Sequence, residues 1–394
     1  MTNETEHSYD AIILGAGASG LMAAINAAKR GRSVLVIDHA EKAGKKLLVS
    51  GGGKCNITNR HISVNDYFGA DNVFCKNALR QFTTKTALDM LDNAGIKTEE
   101  RGFGRIFCKK SADEIVSYLV RTARESGVHF ALKTTISEVS FATRFSVTCE
   151  NKQYKSSHLL VATGGLAWPQ IGATNLGYAT AKQFGHKVLP LRPVLTGFIL
   201  APDSPLMNLQ GISLDVQLHI KGKCDAIEEP LLFTHKGISG PSALQVSCFW
   251  EKGDAITINF LPSEDIISYM HEPCNGKLLA GNLLTRFLPG RLVTAIIPED
   301  IYCRKVAELG KRDRNKIAEC VHSYLVCPDA VEGFSKAEAT LGGVSTEEIN
   351  PKNMESLLRK GLFFSGEVID IAGKLGGYNI HWAFASGYVA GQNI

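Results

Sequence analysis

Apolar and polar positions alternate between two periods along this chain. Ala11 to Leu14 form an unbroken apolar run. Leu21, Ala24, Ile25 and Ala28 then recur at helical spacing, with Lys29 and Arg30 on the opposite side, and Val34 to Ile37 are apolar again. A short continuous run reads as a buried strand and the 3.6-residue period as a helix, so the start predicts strand, helix, strand. Helical patterns return from Lys76 to Asn93. A second helix is predicted after Ser111, whose spacing to Glu114 suggests a capping box, with Ile115, Val116, Leu119, Val120 and Ala123 as its buried stripe. Strand-like runs at Val128–Leu132, Thr135–Val139 and Phe145–Cys149 predict a β-meander, followed by a buried strand at Leu159–Val161 and a helix over Asn175–Phe184. From about Leu191 to Thr340 the pattern changes. Thr196–Leu200, Leu214–Ile220 and Ala255–Phe260 suggest a small antiparallel barrel or sandwich, and Leu278–Leu288 and Ile301–Leu325 read as helices. The chain then returns to an apolar strand, Leu362–Ser365, and a helix beginning near Asn379.

Glycines punctuate these elements where a ligand would approach. Gly15, Gly17 and Gly20 sit between the first strand and helix in G-x-G-x-x-G order, and Asp38 closes the second strand. Gly15 suits the tight turn, Gly17 removes a side chain from the path of a pyrophosphate, and Gly20 lets helix and strand approach. The helix N-terminus supplies free N–H groups and a positive dipole end, while Asp38 can accept ribose hydroxyls. Gly44 to Asn59 contains S-G-G-G-K-C-N, from Ser50 to Asn56, a second wall for a flat or anionic ligand. Ala162-Thr163-Gly164-Gly165 breaks a strand at its C-terminal edge, where parallel sheets bind ligands. In the return segment Gly366, Glu367 and Asp370 precede Gly373, Gly376 and Gly377. A carboxylate there can accept ribityl hydroxyls, and a glycine turn feeding a helix can aim N–H groups at the flavin end that turns anionic on reduction. A dinucleotide without a ribityl chain has no use for this third segment, so FAD is favoured over NAD.

Composition narrows the class. With 394 residues, several domains are expected, and 43 Lys and Arg against 39 Asp and Glu give no global demand for nucleic acid or membrane. The polar, acidic stretch Met1–Asp10 does not read as a signal peptide, and no apolar run is long enough for a membrane span, so a cytoplasmic protein is expected. The ten cysteines include no C-x-x-C pair, which argues against a zinc site or a thioredoxin-like motif. Three segments carry further candidate chemistry. R-G-F-G-R, from Arg101 to Arg105, is either a solvated hairpin tip or a substrate-facing loop that binds an anion through Arg105. His235 lies in F-T-H-K-G-I-S-G-P, on a loop ahead of a helix start. Lys277 to Lys316 holds nine basic residues against four acids, a solvated face or a phosphate-binding patch.

Taken together and in order, Gly15 to Gly20, S-G-G-G-K-C-N, A-T-G-G, T-H-K-G-I-S-G-P and S-G-E-V-I-D with G-G-Y-N resemble the BaiN/YhiN-like flavoprotein family over nearly the whole chain. The resemblance implies an α/β, Rossmann-like FAD-binding domain with a central parallel sheet and β-meander, made from residues 1–190 and 341–394. An inserted β-barrel (191–262) and a helical subdomain (263–340) complete it. It puts FAD against Gly15, Gly17, Ala18, Gly20, Asp38, His39, Lys46, Ser50, Gly51, Gly52, Gly53, Lys54, Cys55 and Asn56. It adds Ile136, Thr163, Gly164, Gly366, Glu367, Asp370, Gly377, Tyr378 and Asn379. Members are linked to reduction of activated carbon–carbon double bonds in steroid enones and in a uridine of ribosomal RNA, and to amine oxidation. An FAD-dependent reductase of this kind is expected, with His235 and Cys55 as candidate proton donors. The sequence has no second G-x-G-x-x-G, so NADH or NADPH would visit only transiently. His381 stands where the family often has Gln, and Cys108 where it often has Pro.

Overall fold

In the computed structural model, which describes residues 7–150 and 152–394, the chain forms two compact units. The first six residues of the stretch read for a signal peptide lie outside the described residues. One unit is built from 1–193 and 338–394, the other from 194–337.

The first unit begins with strand β1 (His7–Leu14), helix α1 (Ala18–Lys29) and strand β2 (Val34–Ile37), as the periodicity predicts. Its central sheet runs His129–Ala131, β2, β1, Lys152–Val161 and Leu362–Phe364, all parallel. Glu138–Phe141, Phe145–Cys149 and the first half of Lys152–Val161 make the antiparallel meander. The register carries the functional consequence. Leu14 is level with Ile37 and Val161, and Val161 with Phe364, so Gly15, Asp38, Ala162 and Ser365 all leave the sheet at one edge. Leu21, Met22 and Ile25 of α1 are buried, each contributing roughly 1.5–3 kcal/mol of hydrophobic burial. The C-terminal helix Tyr378–Asn393 crosses α1 in contact: a Cβ on Gly387 would lie 2.2 Å from the Ser19 carbonyl.

Three local expectations change. His129–Ala131, expected within the meander, pairs parallel with β2 at the edge of the central sheet. Ser111 caps the helix Ala112–Glu125 by accepting the Asp113 N–H at 3.0 Å, so the cap is not a Ser–Glu box. The helix expected over Ile301–Leu325 is split into Glu299–Tyr302 and Lys311–His322, with Gly310 as the N-cap of the second.

The second unit holds a seven-stranded antiparallel sheet ordered Tyr324–Val326, Ile256–Asn259, Ser213–Ile220, Cys224–Phe233, Gly237–Ser239, Phe198–Ile199, Ala330–Val331. Val216, Leu218 and Ile258 from this sheet share one core with Leu283, Leu292 and Ile317 from the helices. Sheet and helices are therefore one packed body. No helix among the described residues is long and apolar enough to cross a membrane.

Candidate FAD site

The site grows from the sheet edge. Gly15 takes φ +109°, and a Cβ there would sit 2.5 Å from the Ala162 carbonyl, so the glycine turn and the A-T-G-G crossing press together. Gly20 is equally committed, 2.0 Å from the Gly15 carbonyl by the same measure. Gly17 differs. A Cβ on Gly17, Gly52 or Gly164 would meet no atom within 4 Å, so these three backbones border open space. Helix α1 starts at Ala18 with Gly17 as its N-cap and no side-chain cap. An uncapped N-terminus beside open space is an anion cradle.

Asp38 is partly committed and partly available. Its carboxylate accepts the Ala16 N–H at 2.7 Å and the Ala40 N–H at 2.7 Å, yet the side chain keeps 15% of its surface exposed. His39 lies 3.5 Å from it. The Thr134 N–H donates to the Asp38 carbonyl at 3.0 Å, which holds the segment carrying Ile136 beside this acid.

The S-G-G-G-K-C-N loop is wound left-handed. Gly51, Gly52 and Gly53 have φ of +56°, +65° and +82°, and Cys55 itself sits at +49°. Glycine takes such angles freely and cysteine does not, so Cys55 is strained and held by its N–H to the Ser50 carbonyl at 3.0 Å. The Ser50 hydroxyl donates to Leu47, and Lys54 lies 3.5 Å from Glu99. Cys55 is fully buried, and burial pushes its thiol up to about 12. Against the expectation that it protonates a substrate, Cys55 offers neither access nor an acidic proton. Cys108, also buried and raised to about 12, is likewise a free thiol.

The return segment closes on this edge. A Cβ on Gly366 would lie 2.7 Å from Ser19 Oγ, and the Gly366 turn is held by Ser386 Oγ at 2.9 Å and by Trp382 Nε1 at 3.2 Å. Glu367 accepts Lys46 Nζ on one oxygen at 2.5 Å and the Thr340 N–H on the other at 2.8 Å. Thr340 Oγ1 accepts the N–H groups of Leu166 and Ala167, fixing the chain just after Thr163 and Gly164. Asp370 is nearly buried and accepts the N–H of Ala70 at 2.8 Å and of Gly342 at 2.9 Å, so it ties two loops together.

At the other end of the site Gly377 (φ +96°) starts the C-terminal helix without a side-chain cap. Asn56, with its amide oxygen toward Gly377, accepts that N–H at 3.1 Å and donates to Ile106 at 3.2 Å. The Asn379 side chain pairs twice with the Gly373 backbone, at 2.8 and 2.9 Å, and the Tyr378 hydroxyl donates to His61 at 3.0 Å. These contacts leave the helix N-terminus rigid. His381 is fully buried. Its Nε2–H donates to the Phe82 carbonyl at 3.0 Å, which makes Nδ1 the acceptor of the Thr58 hydroxyl at 2.9 Å. Burial drops its pKa to about 4, so it is a neutral structural bridge.

Sequence reasoning missed Thr340, Asn59 and Glu338. Glu338 is exposed to solvent, and desolvation by the groups packed around its carboxyl raises its pKa against the pull of Lys46 and Arg105. His235 lies in the other unit, exposed at a turn closed by the Thr234 N–H to the Gly237 carbonyl at 2.8 Å.

The open cradle at Gly17, the uncapped helix ends and the partly exposed Asp38 fit FAD. The sequence model described as the HI0933-like protein Rossmann domain matches residues 9–393. The chain is 37% identical over 398 residues to the ribosomal RNA dihydrouridine synthase of Escherichia coli K12, covering 98% of each chain. It is 28% identical to the 3-dehydro-bile acid delta(4,6)-reductase of Clostridium scindens, over 96% of this chain and 97% of that one. Its fold is similar to 3-ketosteroid-delta4-(5alpha)-dehydrogenase from Rhodococcus jostii RHA1, with TM-score 0.50, 14% identity and coverage of 100% and 97%.

Proposed function

The chain belongs to the HI0933-like family and is an FAD-dependent oxidoreductase, and on that premise we propose that it reduces the C5=C6 double bond of a uridine in ribosomal RNA. The observation that carries this reading is the 37% identity, over 98% of both chains, to an enzyme of that name. Reduction of an activated double bond in a small enone is the second reading, favoured by the 28% identity to the bile acid reductase.

FAD, when bound, supplies the hydride for either reaction. The chain's own residues divide the remaining work. The α1 N-terminus with Gly17 and Ala18 receives the pyrophosphate, and Asp38 the adenosine ribose. Lys46 and Glu367 offer a cation and a carboxylate to the ribityl region. The uncapped N-terminus of the helix starting at Tyr378 would offer its positive end to the isoalloxazine ring of a bound FAD, where negative charge develops on reduction. NADH or NADPH, visiting transiently, is the proposed electron source.

Nucleoside analysis of ribosomal RNA tests the substrate. Cells lacking the protein should lose one dihydrouridine and regain it on complementation. An unchanged dihydrouridine content would transfer the reading to the small-enone alternative.

A further inference from the structure

We infer that the hairpin tip Gly102–Gly104 is a binding site for an unstacked RNA base with its adjoining phosphates, an inference that rests on the ribosomal RNA reading. Strands Thr98–Arg101 and Arg105–Cys108 pair with Arg101 level with Arg105, leaving Phe103 at the apex of a three-residue loop. Phe103 is 62% exposed and sits at φ +63°, a conformation that bulky residues avoid. Such a residue gains nothing from burial there, and its backbone is pinned. The buried Asn59 amide donates to the Phe103 carbonyl at 3.0 Å and to the Gly376 carbonyl at 3.0 Å.

One side chain thus ties the exposed aromatic to the glycine turn that feeds the C-terminal helix. Arg105 makes the same connection. Its guanidinium lies 5.1 Å from the Phe103 ring centroid, and its stem packs where a Cβ on Gly376 would be only 3.0 Å from Nε. Beside the tip, Arg60 pairs with Glu100 and Arg101 with Glu99. An exposed aromatic with the Arg105 guanidinium over its ring, and Arg60 and Arg101 on the neighbouring strands, suits an unstacked base and its phosphates, because base–aromatic stacking needs an exposed ring and phosphates need cations. A rigid apolar enone would have use for the ring but not for the charge.

The test uses Phe103→Ala and Phe103→Trp in the FAD-loaded protein, with wild-type flavin content and circular dichroism as the check on folding. Affinity for undermodified ribosomal RNA is measured across a salt series, beside flavin reduction by NADPH. F103A should bind RNA about tenfold more weakly with an unchanged salt slope, as loss of one stacked base requires. F103W should bind as wild type, and both should be reduced at the wild-type rate. Wild-type RNA affinity in F103A, while the wild type binds and modifies RNA, overturns the tip assignment and leaves the RNA reading intact. An F103W loss equal to that of F103A also overturns it, because stacking would not be the cause. A wild-type protein that neither binds nor reduces RNA overturns both.

Discussion

Lys46 Nζ lies 2.5 Å from Glu367 Oε2 across 321 positions of sequence. The contact joins the short helix Lys45–Val49 after β2 to the return segment, and the second Glu367 oxygen holds the Thr340 N–H. Both partners are partly exposed, at 41% and 14%, so the pair contributes little to stability in water. Its value lies in presenting a fixed carboxylate and a cation to the cofactor. Glu367→Gln should weaken FAD binding by roughly tenfold, the scale of a lost hydrogen bond to a charged group. Thermal stability of the apoprotein should hardly move. Flavin fluorescence titration and a melt of the same sample check both parts.

Gly17 and Gly20 separate binding from folding. A Cβ at Gly17 meets nothing within 4 Å, so Gly17→Val should leave the apoprotein folded and abolish retention of yellow cofactor on gel filtration. Gly20→Val should instead unfold or strongly destabilise the protein, because its Cβ would overlap the Gly15 carbonyl at 2.0 Å. A G17V protein that keeps its flavin would remove the pyrophosphate from this turn.

His381 makes stability depend on pH with a definite sign. Its folded pKa of about 4 lies below the ordinary 6.5, so between those values the unfolded chain binds the extra proton. The contribution is complete above pH 6.5 and declines as pH falls toward 4, by on the order of 3 kcal/mol. Urea unfolding of wild type and His381→Gln at pH 7 and pH 5 should show a smaller loss in the variant. Gln can donate to Phe82 and accept from Thr58 without a buried ring to charge.

Cys55 should prove dispensable for chemistry. Of the ten cysteines only Cys274, Cys303 and Cys327 are exposed, so three thiols should react quickly with an aromatic disulfide reagent. Cys55 and Cys108, each raised to about 12, should react only on unfolding. Cys55→Ala should retain turnover within about threefold once flavin is bound, because a neutral buried thiol is not a competent acid at pH 7. A loss of a hundredfold at full flavin occupancy would restore Cys55 to the mechanism.

The cofactor cradle was legible because its signals are local. The G-x-G-x-x-G turn, the acid ending β2 and the glycines before the C-terminal helix are each written within a few residues. What stayed hidden was written across the chain. Thr340 reads as one polar residue in an apolar strand, and only its contacts with Leu166 and Glu367 reveal it as the post between two loops. Asn59 and His381 act on partners about 300 positions away. The burial of Cys55 is hidden for a related reason. The left-handed turn that buries Cys55 cannot be read from residue types alone. The segment before Thr340 sits at the unit boundary, where Glu338 opens the return of the first unit.

The most direct test of the central claim is an anaerobic one. The purified protein is reduced with NADPH and mixed with undermodified ribosomal RNA while the oxidised flavin band is followed and the RNA is digested for nucleoside analysis. The account predicts rapid return of the band together with conversion of one uridine to dihydrouridine. A flavin that stays reduced with RNA, yet is promptly reoxidised by a steroid enone or by air, would contradict it.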